Sequence, residues 1–299
     1  MSSILKGKII NFYEKDRILL IEINEEKSFF FLSRSLAPQI FKYKTLNNVN
    51  ITFEYSEATK EYKNQLATRI ISITEISNDE GILYSVDSIK NQTVELINSF
   101  DYKMFVDFEF TMPAFNEKSK FEYELLQVGI VISDPNDKVV DEYSSYIKTK
   151  KKVSDRTKRF LNISNEELAE SVSQKEFYNL LQNYFRIYTP TVFVWGSSDI
   201  KALNKFYDKN HFKQIKFDSV DLAKIIRSYY SLQEDLGLFA ALQIFNGIQA
   251  TQAHHALTDA SATKEVFDSF KKILNNDTKL NVKEIRSHMK DELKDNKTE

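Results

Sequence analysis

No cysteine occurs in the chain, which excludes disulfides, thiolate catalysis and cysteine-bound zinc. Glycine and proline are scarce, at six and four residues, and no glycine-rich phosphate loop of either nucleotide-binding type is present. No stretch of roughly 18 apolar residues exists to span a membrane. The opening MSSILKGKII lacks a signal-peptide profile. These absences lead to the expectation of a reducing, intracellular setting, most simply the cytoplasm, with no membrane contact. An excess of positive charge is also missing. The formal net charge of −2 does not advertise a nucleic-acid binder.

What is present describes a soluble globular protein. Hydrophobic residues make up 42% and charged residues 28% of 299 positions, enough for one large or two ordinary domains. Charge is unevenly spread. Residues 148–159 carry Lys148, Lys150, Lys151, Lys152, Arg156, Lys158 and Arg159 against a single acid, Asp155. Such a cluster reads either as a solvated surface or, beside a metal-binding acid site, as a surface that tracks phosphates.

The first 76 residues read as all-β. Gly7–Tyr13, Ile18–Ile23, Ser28–Leu32, Val49–Tyr55 and Thr68–Ile73 are rich in Ile, Val, Phe and Tyr and separated by polar turns. Five short strands in so short a span suggest a small barrel. Residues 77–100 are more polar and include a helix-like stretch, Val86–Phe100, read as a connector. From Phe105 the pattern changes to strands alternating with helices, the mark of an α/β layered domain running over 101–274. Strands are expected at Phe105–Phe110, Leu125–Ile132, Val139–Ile147, Thr191–Trp195 and Phe217–Val220. Residues 275–299 form a charged tail with no function read into it.

The most informative segment is MFVDFEFTMP, at 104–113. In a strand, residues i and i+2 share a face, so Asp107 and Glu109 would project side by side from an apolar element. Carboxylates so close resist ionising together unless a cation joins them. An acid-x-acid triplet alone is weak, and a strand edge with its polar face in solvent is the bland alternative. Asp199 follows the apolar run VFVW across a Gly196-Ser197-Ser198 loop, where α/β folds place ligands. It could equally complement a helix dipole, with Ser197 or Ser198 as the cap. In AHHALTDA, His254 and Asp259 are five apart, the acid in the first turns of a helix and the histidine on the loop or cap before it. A surface or capping role for His254 or His255 also fits.

Taken jointly and in order, these motifs resemble those of the DnaQ-like (DEDDh) 3′–5′ exonuclease superfamily. Phe105-Val106-Asp107-Phe108-Glu109-Phe110-Thr111 resembles its first motif, Trp195-Gly196-Ser197-Ser198-Asp199 its second, and His254-His255-Ala256-Leu257-Thr258-Asp259-Ala260 its third. Glu124–Val131 resembles the second-strand signature, with Gln127 where an acid is common. The resemblance covers roughly 102–274 and implies a ribonuclease H-like α/β domain, a mixed sheet flanked by helices. Residues 3–76 resemble a cold-shock type OB-fold, a family that stacks unpaired bases on strand aromatics. Phe12 and Phe29-Phe30-Phe31 are the matching candidates, while Ile18 and Leu20 stand where that family carries aromatics.

The resemblance implies two Mg²⁺ or Mn²⁺ ions at the scissile phosphate. Asp107 would bridge both, Glu109 and Asp259 would hold the ion carrying the attacking water, and Asp199 would support the site directly or through water. His254 would be the general base, with His255 as its rival. Phe108, Phe110, Thr111 and Met112 would hold the terminal nucleotide. The expected reaction releases 5′-mononucleotides from a 3′ end, on single-stranded RNA in preference to DNA. A DNA proofreading or repair nuclease, or a non-catalytic nucleic-acid-binding regulator with this fold, are the alternatives.

Overall fold

Two stretches of different character build two compact units, Met1–Thr93 and Val94–Glu299. The computed structural model describes residues 3–33, 36, 37, 49–115, 121–232, 234–247, 254–276 and 285.

In the first unit, β-branched and aromatic residues alternate with polar ones, which suits half-buried strands. They form β1 (Ser3–Tyr13), β2 (Ile18–Ile23), β3 (Glu26–Leu32), β4 (Val49–Tyr62), β5 (Gln65–Asn78) and β6 (Gly81–Ser85). Two-residue turns join β2 to β3 and β4 to β5. Asn24, Glu25, Lys63 and Asn64 all have positive φ there, the conformation that matches strand twist in tight hairpins. The sheet order is β3-β2-β1-β4-β5-β6, and a parallel pairing of β3 with β5 closes five strands into a barrel. Ile9, Leu19, Ile21, Phe30, Ile51, Phe53 and Ile70 fill it.

Two expectations need correction here. Phe30 points into the barrel core beside Phe53, ring centroids 5.0 Å apart, so it is no stacking platform. Strand alternation sends its neighbours Phe29 and Phe31 to the other face, where both are half-buried. The sheet also continues past residue 76. Asn78 Oδ1 accepts the Glu80 and Gly81 amides and turns the chain into β6, inside the stretch read as a connector. The helix α1 (Val86–Asn98) then follows.

The second unit opens with β7 (Lys103–Phe110), β8 (Leu125–Ser133) and β9 (Val139–Tyr146). Helices α2 (Asp155–Leu161), α3 (Asn165–Ala169) and α4 (Gln174–Tyr188) come next, then β10 (Thr191–Val194) and α5 (Ser198–Lys209). β11 (Ser219–Asp221), α6 (Leu222–Tyr229), α7 (Leu238–Asn246) and α8 (Ala256–Asn275) complete the order. Serines start three of these helices. Ser154, Ser164 and Ser173 each accept a backbone amide, and the last two form reciprocal capping boxes with Glu167 and Glu176.

The sheet order is β11-β10-β7-β8-β9. β7, β8 and β9 run antiparallel, and β10 and β11 add in parallel, giving the mixed sheet. Helices cover both faces. Met104, Val106 and Phe108 pack with Phe177 of α4 and Phe206 of α5. Phe105, Val131 and Phe193 pack with Val266, Phe267 and Phe270 of α8. Cover on both sides is why β8 reads LLQVGIVIS with every residue buried. Most of the 275–299 tail lies outside the described residues. Among the described residues, no helix is long and apolar enough to cross a membrane.

Candidate active site

β7 runs apolar from Met104 to Val106 because both its faces are covered. Alternation puts Asp107 and Glu109 on the face of Phe105, which touches Phe267 of α8 at 5.5 Å. Both acids sit at the carboxyl end of the strand, beside the start of α8. Two residues of β8 make that approach possible. Register pairs Glu109 with Gln127 and Asp107 with Gly129. Gln127, buried, accepts the Ala256 amide on Oε1 at 3.1 Å, satisfying an N–H that the first turn of a helix leaves orphaned. A side chain at 129 would collide with the backbone of Ala256 and Leu257. Glycine is what lets the helix sit on the sheet.

The helix then delivers Asp259 in its first turn. Asp107, Glu109 and Asp259 offer carboxylate oxygens that lie within 4.8 Å of one another. Asp259 is buried, and its Oδ1 has no hydrogen-bond partner among the described residues. Asp199 arrives from α5. Its Oδ1 accepts the Phe108 amide at 3.3 Å and its Oδ2 the Ser198 hydroxyl at 3.2 Å. Ser197, at the cap position, makes no side-chain capping bond. Ser198 lies one residue inside the helix and serves the acid instead.

Burial and mutual repulsion shape the electrostatics. Desolvation lifts the Asp107 carboxyl well above the usual carboxylate range, and the charges of Asp199, Asp259 and Glu109 push the same way. Burial, then Asp259 and Asp199, raise Glu109 to about 7. Burial raises Asp259 to about 6. It also raises Asp199 to about 6, against the hydrogen bonds that favour its charge. Among the described residues, no lysine or arginine pairs with any of the four. Crowded oxygen donors, one of them orphaned, with no cationic side chain to neutralise them, fit a hard divalent cation.

The histidines lie at the entrance to α8. His255 holds the cap position, and His254 precedes it with a φ of +46°. The His254 ring packs against Phe160 of α2, centroids 4.4 Å apart. Of the residues expected to hold a nucleotide, Phe108 needs correction. Its ring is buried on the face opposite the acids, edge-on to Phe177. Phe110 is half-buried against Tyr123. Thr111 is tied to Glu124 through both its amide and its hydroxyl. The Met112 amide donates to Thr157 Oγ1 at 2.9 Å. Sequence reasoning passed over Phe160 and Gly129, and gave Gln127 no contact of its own. The strand pattern around Gly129 was the only signal available for it.

Comparison with known proteins agrees with this geometry. The exonuclease family model RNase_T matches residues 104–267, more than half of the chain. The probable 3′–5′ exonuclease KapD of Bacillus subtilis (strain 168) is 31% identical over 169 residues, covering 55% of this chain and 82% of that protein. Among solved structures, the nuclease domain of 3′hExo, a DEDDh family member bound to rAMP, superposes with a TM-score of 0.51 at 18% identity. That match covers 61% of this chain and 96% of the domain. A 3′-exonuclease recognising the 3′ end of the histone mRNA stem-loop gives 0.50 at 16% identity, over 64% of this chain and 71% of its own. Both share the fold. The chain belongs to the RNase_T exonuclease family and is a metal-dependent 3′–5′ exonuclease.

Proposed function

We propose that the enzyme shortens single-stranded RNA from its 3′ end, in preference to DNA, and releases 5′-mononucleotides with two Mg²⁺ or Mn²⁺ ions. The observation that carries this is the gathering of Asp107, Glu109 and Asp259. These three, with Asp199 beside them, would hold the ions. When bound, such ions supply Lewis acidity and lower the pKa of a coordinated water.

The protein's own groups do the rest. His254 takes the proton of the attacking water on a ring nitrogen, as a general base. The water oxygen bonds to phosphorus, and the bond to the 3′ oxygen of the preceding nucleotide breaks. The departing 3′ oxygen takes a proton from solvent, so a shortened strand with a 3′ hydroxyl remains and the last nucleotide leaves with its 5′ phosphate. Lys151, Lys152 and Arg156 line a cleft with Thr111, Met112 and Phe115. Their charge suits the sugar-phosphate backbone behind the terminal nucleotide.

The hold on a single strand rests on the barrel. Tyr13, Phe29 and Tyr62 form a cluster of ring contacts at 5.2–6.2 Å. Lys63 lies over Tyr13 and Tyr62, and Lys60 over Phe31. Aromatic rings with cations beside them are what unpaired bases and phosphates bind. A module that holds the strand raises the local concentration of its 3′ end. RNA is favoured over DNA because two proteins of the same fold handle RNA, one bound to rAMP and one recognising a histone mRNA stem-loop.

The test is a panel of 5′-labelled RNA, DNA and hybrid strands incubated with Mn²⁺. The expected outcome is stepwise shortening from the 3′ end, faster on RNA, and abolished by Asp107→Ala and by His254→Ala. Equal rates on DNA would remove the RNA preference, and shortening by Asp107→Ala would remove the proposed centre. Phe29→Ala with Tyr62→Ala should slow long RNA while leaving dinucleotides unaffected.

A further inference from the structure

Phe160 is 49% exposed on the last turn of α2, among lysines and arginines. A lone exposed phenylalanine usually needs no explanation. This one lies 4.4 Å from the His254 ring, centroid to centroid, with the planes tilted by 38°.

α2 is not free to carry Phe160 elsewhere. Thr157, fully buried, accepts the Met112 amide on Oγ1 at 2.9 Å. Ser154, which caps the helix, donates its hydroxyl to the Met112 carbonyl at 2.9 Å. Met112 stands just beyond Glu109, at the end of the segment that carries both acids. Residues three apart share a helix face, so Phe160 is the next side chain along from the Thr157 anchor. The β7 segment, the hydrogen bonds between Met112 and Thr157, and one turn of α2 thus link the acids to Phe160 and the imidazole.

His254 has weaker support of its own. It precedes α8 in a left-handed backbone conformation that costs a residue with a side chain. A general base works only if its nitrogen is aimed at the proton it takes. An aromatic face narrows the orientations open to an imidazole.

We infer that Phe160 is a positioning residue for the reaction, holding the His254 ring in place relative to Glu109 and Asp107. The inference rests on the reading of His254 as the general base. The test uses the full-length protein with Phe160→Ala, Phe160→Leu, Phe160→Tyr and, as reference, His254→Ala. Phe160→Ala should lower kcat by roughly tenfold with KM little changed, the signature of misaligned catalytic groups. Phe160→Tyr should restore the rate, and Phe160→Leu, apolar but without a ring face, should not. In the metal-free protein, the His254 ring protons should show an upfield ring-current shift in NMR spectra, lost in Phe160→Ala and kept in Phe160→Tyr. Because Phe160 is half exposed, its removal leaves the fold standing, which thermal unfolding verifies.

An unchanged kcat in Phe160→Ala, or ring-proton shifts indifferent to it, overturns the inference. A rise in KM alone does so too, since it makes Phe160 a substrate contact. An inactive His254→Ala beside a fully active Phe160→Ala sinks this inference and spares the general base. Full activity in His254→Ala overturns the general-base reading and the inference with it.

Discussion

A β-carbon at Gly129 would lie 2.1 Å from the carbonyl carbon of Ala256, far inside any real contact. The strand position opposite Asp107 is therefore the one on which the helix carrying Asp259 rests. Gly129→Ala should push the start of α8 off the sheet and separate the acids. Overpacking of this kind costs about 1–3 kcal/mol. Misplacement of about 1 Å at a catalytic centre costs on the order of a hundredfold in rate. Thermal unfolding and mononucleotide release measure the two effects. A fully active Gly129→Ala would show that the close approach has no bearing on the acids.

Gln127 is the companion of Gly129, and it can be tested by chemistry instead of size. Gln127→Met leaves the Ala256 amide buried without an acceptor, at a cost of about 1–3 kcal/mol. Gln127→Glu keeps an acceptor oxygen at the same place. The glutamate variant should therefore retain more activity in the presence of Mg²⁺ than the methionine variant. The reverse order would deny the hydrogen bond its role in seating α8.

The raised carboxyl groups set a pH dependence whose sign can be worked out. Glu109 at about 7, and Asp199 and Asp259 at about 6, bind their protons more tightly in the folded protein than in the unfolded chain. Their stabilising contribution is full below the unfolded carboxylate value of about 4, and is lost as pH rises through about 6 to 7. Metal-free protein should accordingly melt at progressively lower temperature between about pH 5 and about pH 8. Adding Mg²⁺ or Mn²⁺ at the upper end should remove the decline, since a bound cation replaces the protons. A melting temperature that rises over that interval without metal contradicts this electrostatic account.

Much of this was legible in the chain, for definite reasons. Alternating and continuous apolar runs located the strands of both units, because burial on one face or two leaves a direct trace in residue type. The acids were readable because their order along the chain constrains them jointly, although Asp107 and Asp259 lie far apart in sequence. Contacts between elements were not readable. Phe29 and Phe30 are chemically identical, and only the register of β3 decides which one faces out. Phe160 follows a run of lysines and arginines, and nothing in the residue order pairs its ring with His254. β6 was too short and too exposed, with Ile82 and Leu83 facing solvent, to stand out from a polar connector.

Lys103 is a further residue whose role only the fold displays. Fully buried, it donates to the carbonyls of Phe100, Asp101 and Asp134, and pairs with Asp137 at 3.0 Å. Burial works against the Asp137 charge, but the hydrogen bond from Lys271 and the charge of Lys103 hold its carboxyl below the usual range. Lys103→Met strands these acceptors. It should lower stability by about 2–3 kcal/mol, less than for a wholly enclosed pair because Asp137 is partly exposed. Chemical denaturation reads this directly, and a variant as stable as the parent would refute it.

The central claim is that Asp107, Glu109 and Asp259, with Asp199, exist to bind divalent cations. Its most direct test is anomalous scattering at the manganese edge from crystals grown with Mn²⁺. The account predicts strong peaks within bonding distance of those carboxylate oxygens, absent in Asp107→Ala. Peaks elsewhere, or a cleft that stays empty at saturating Mn²⁺, would contradict it.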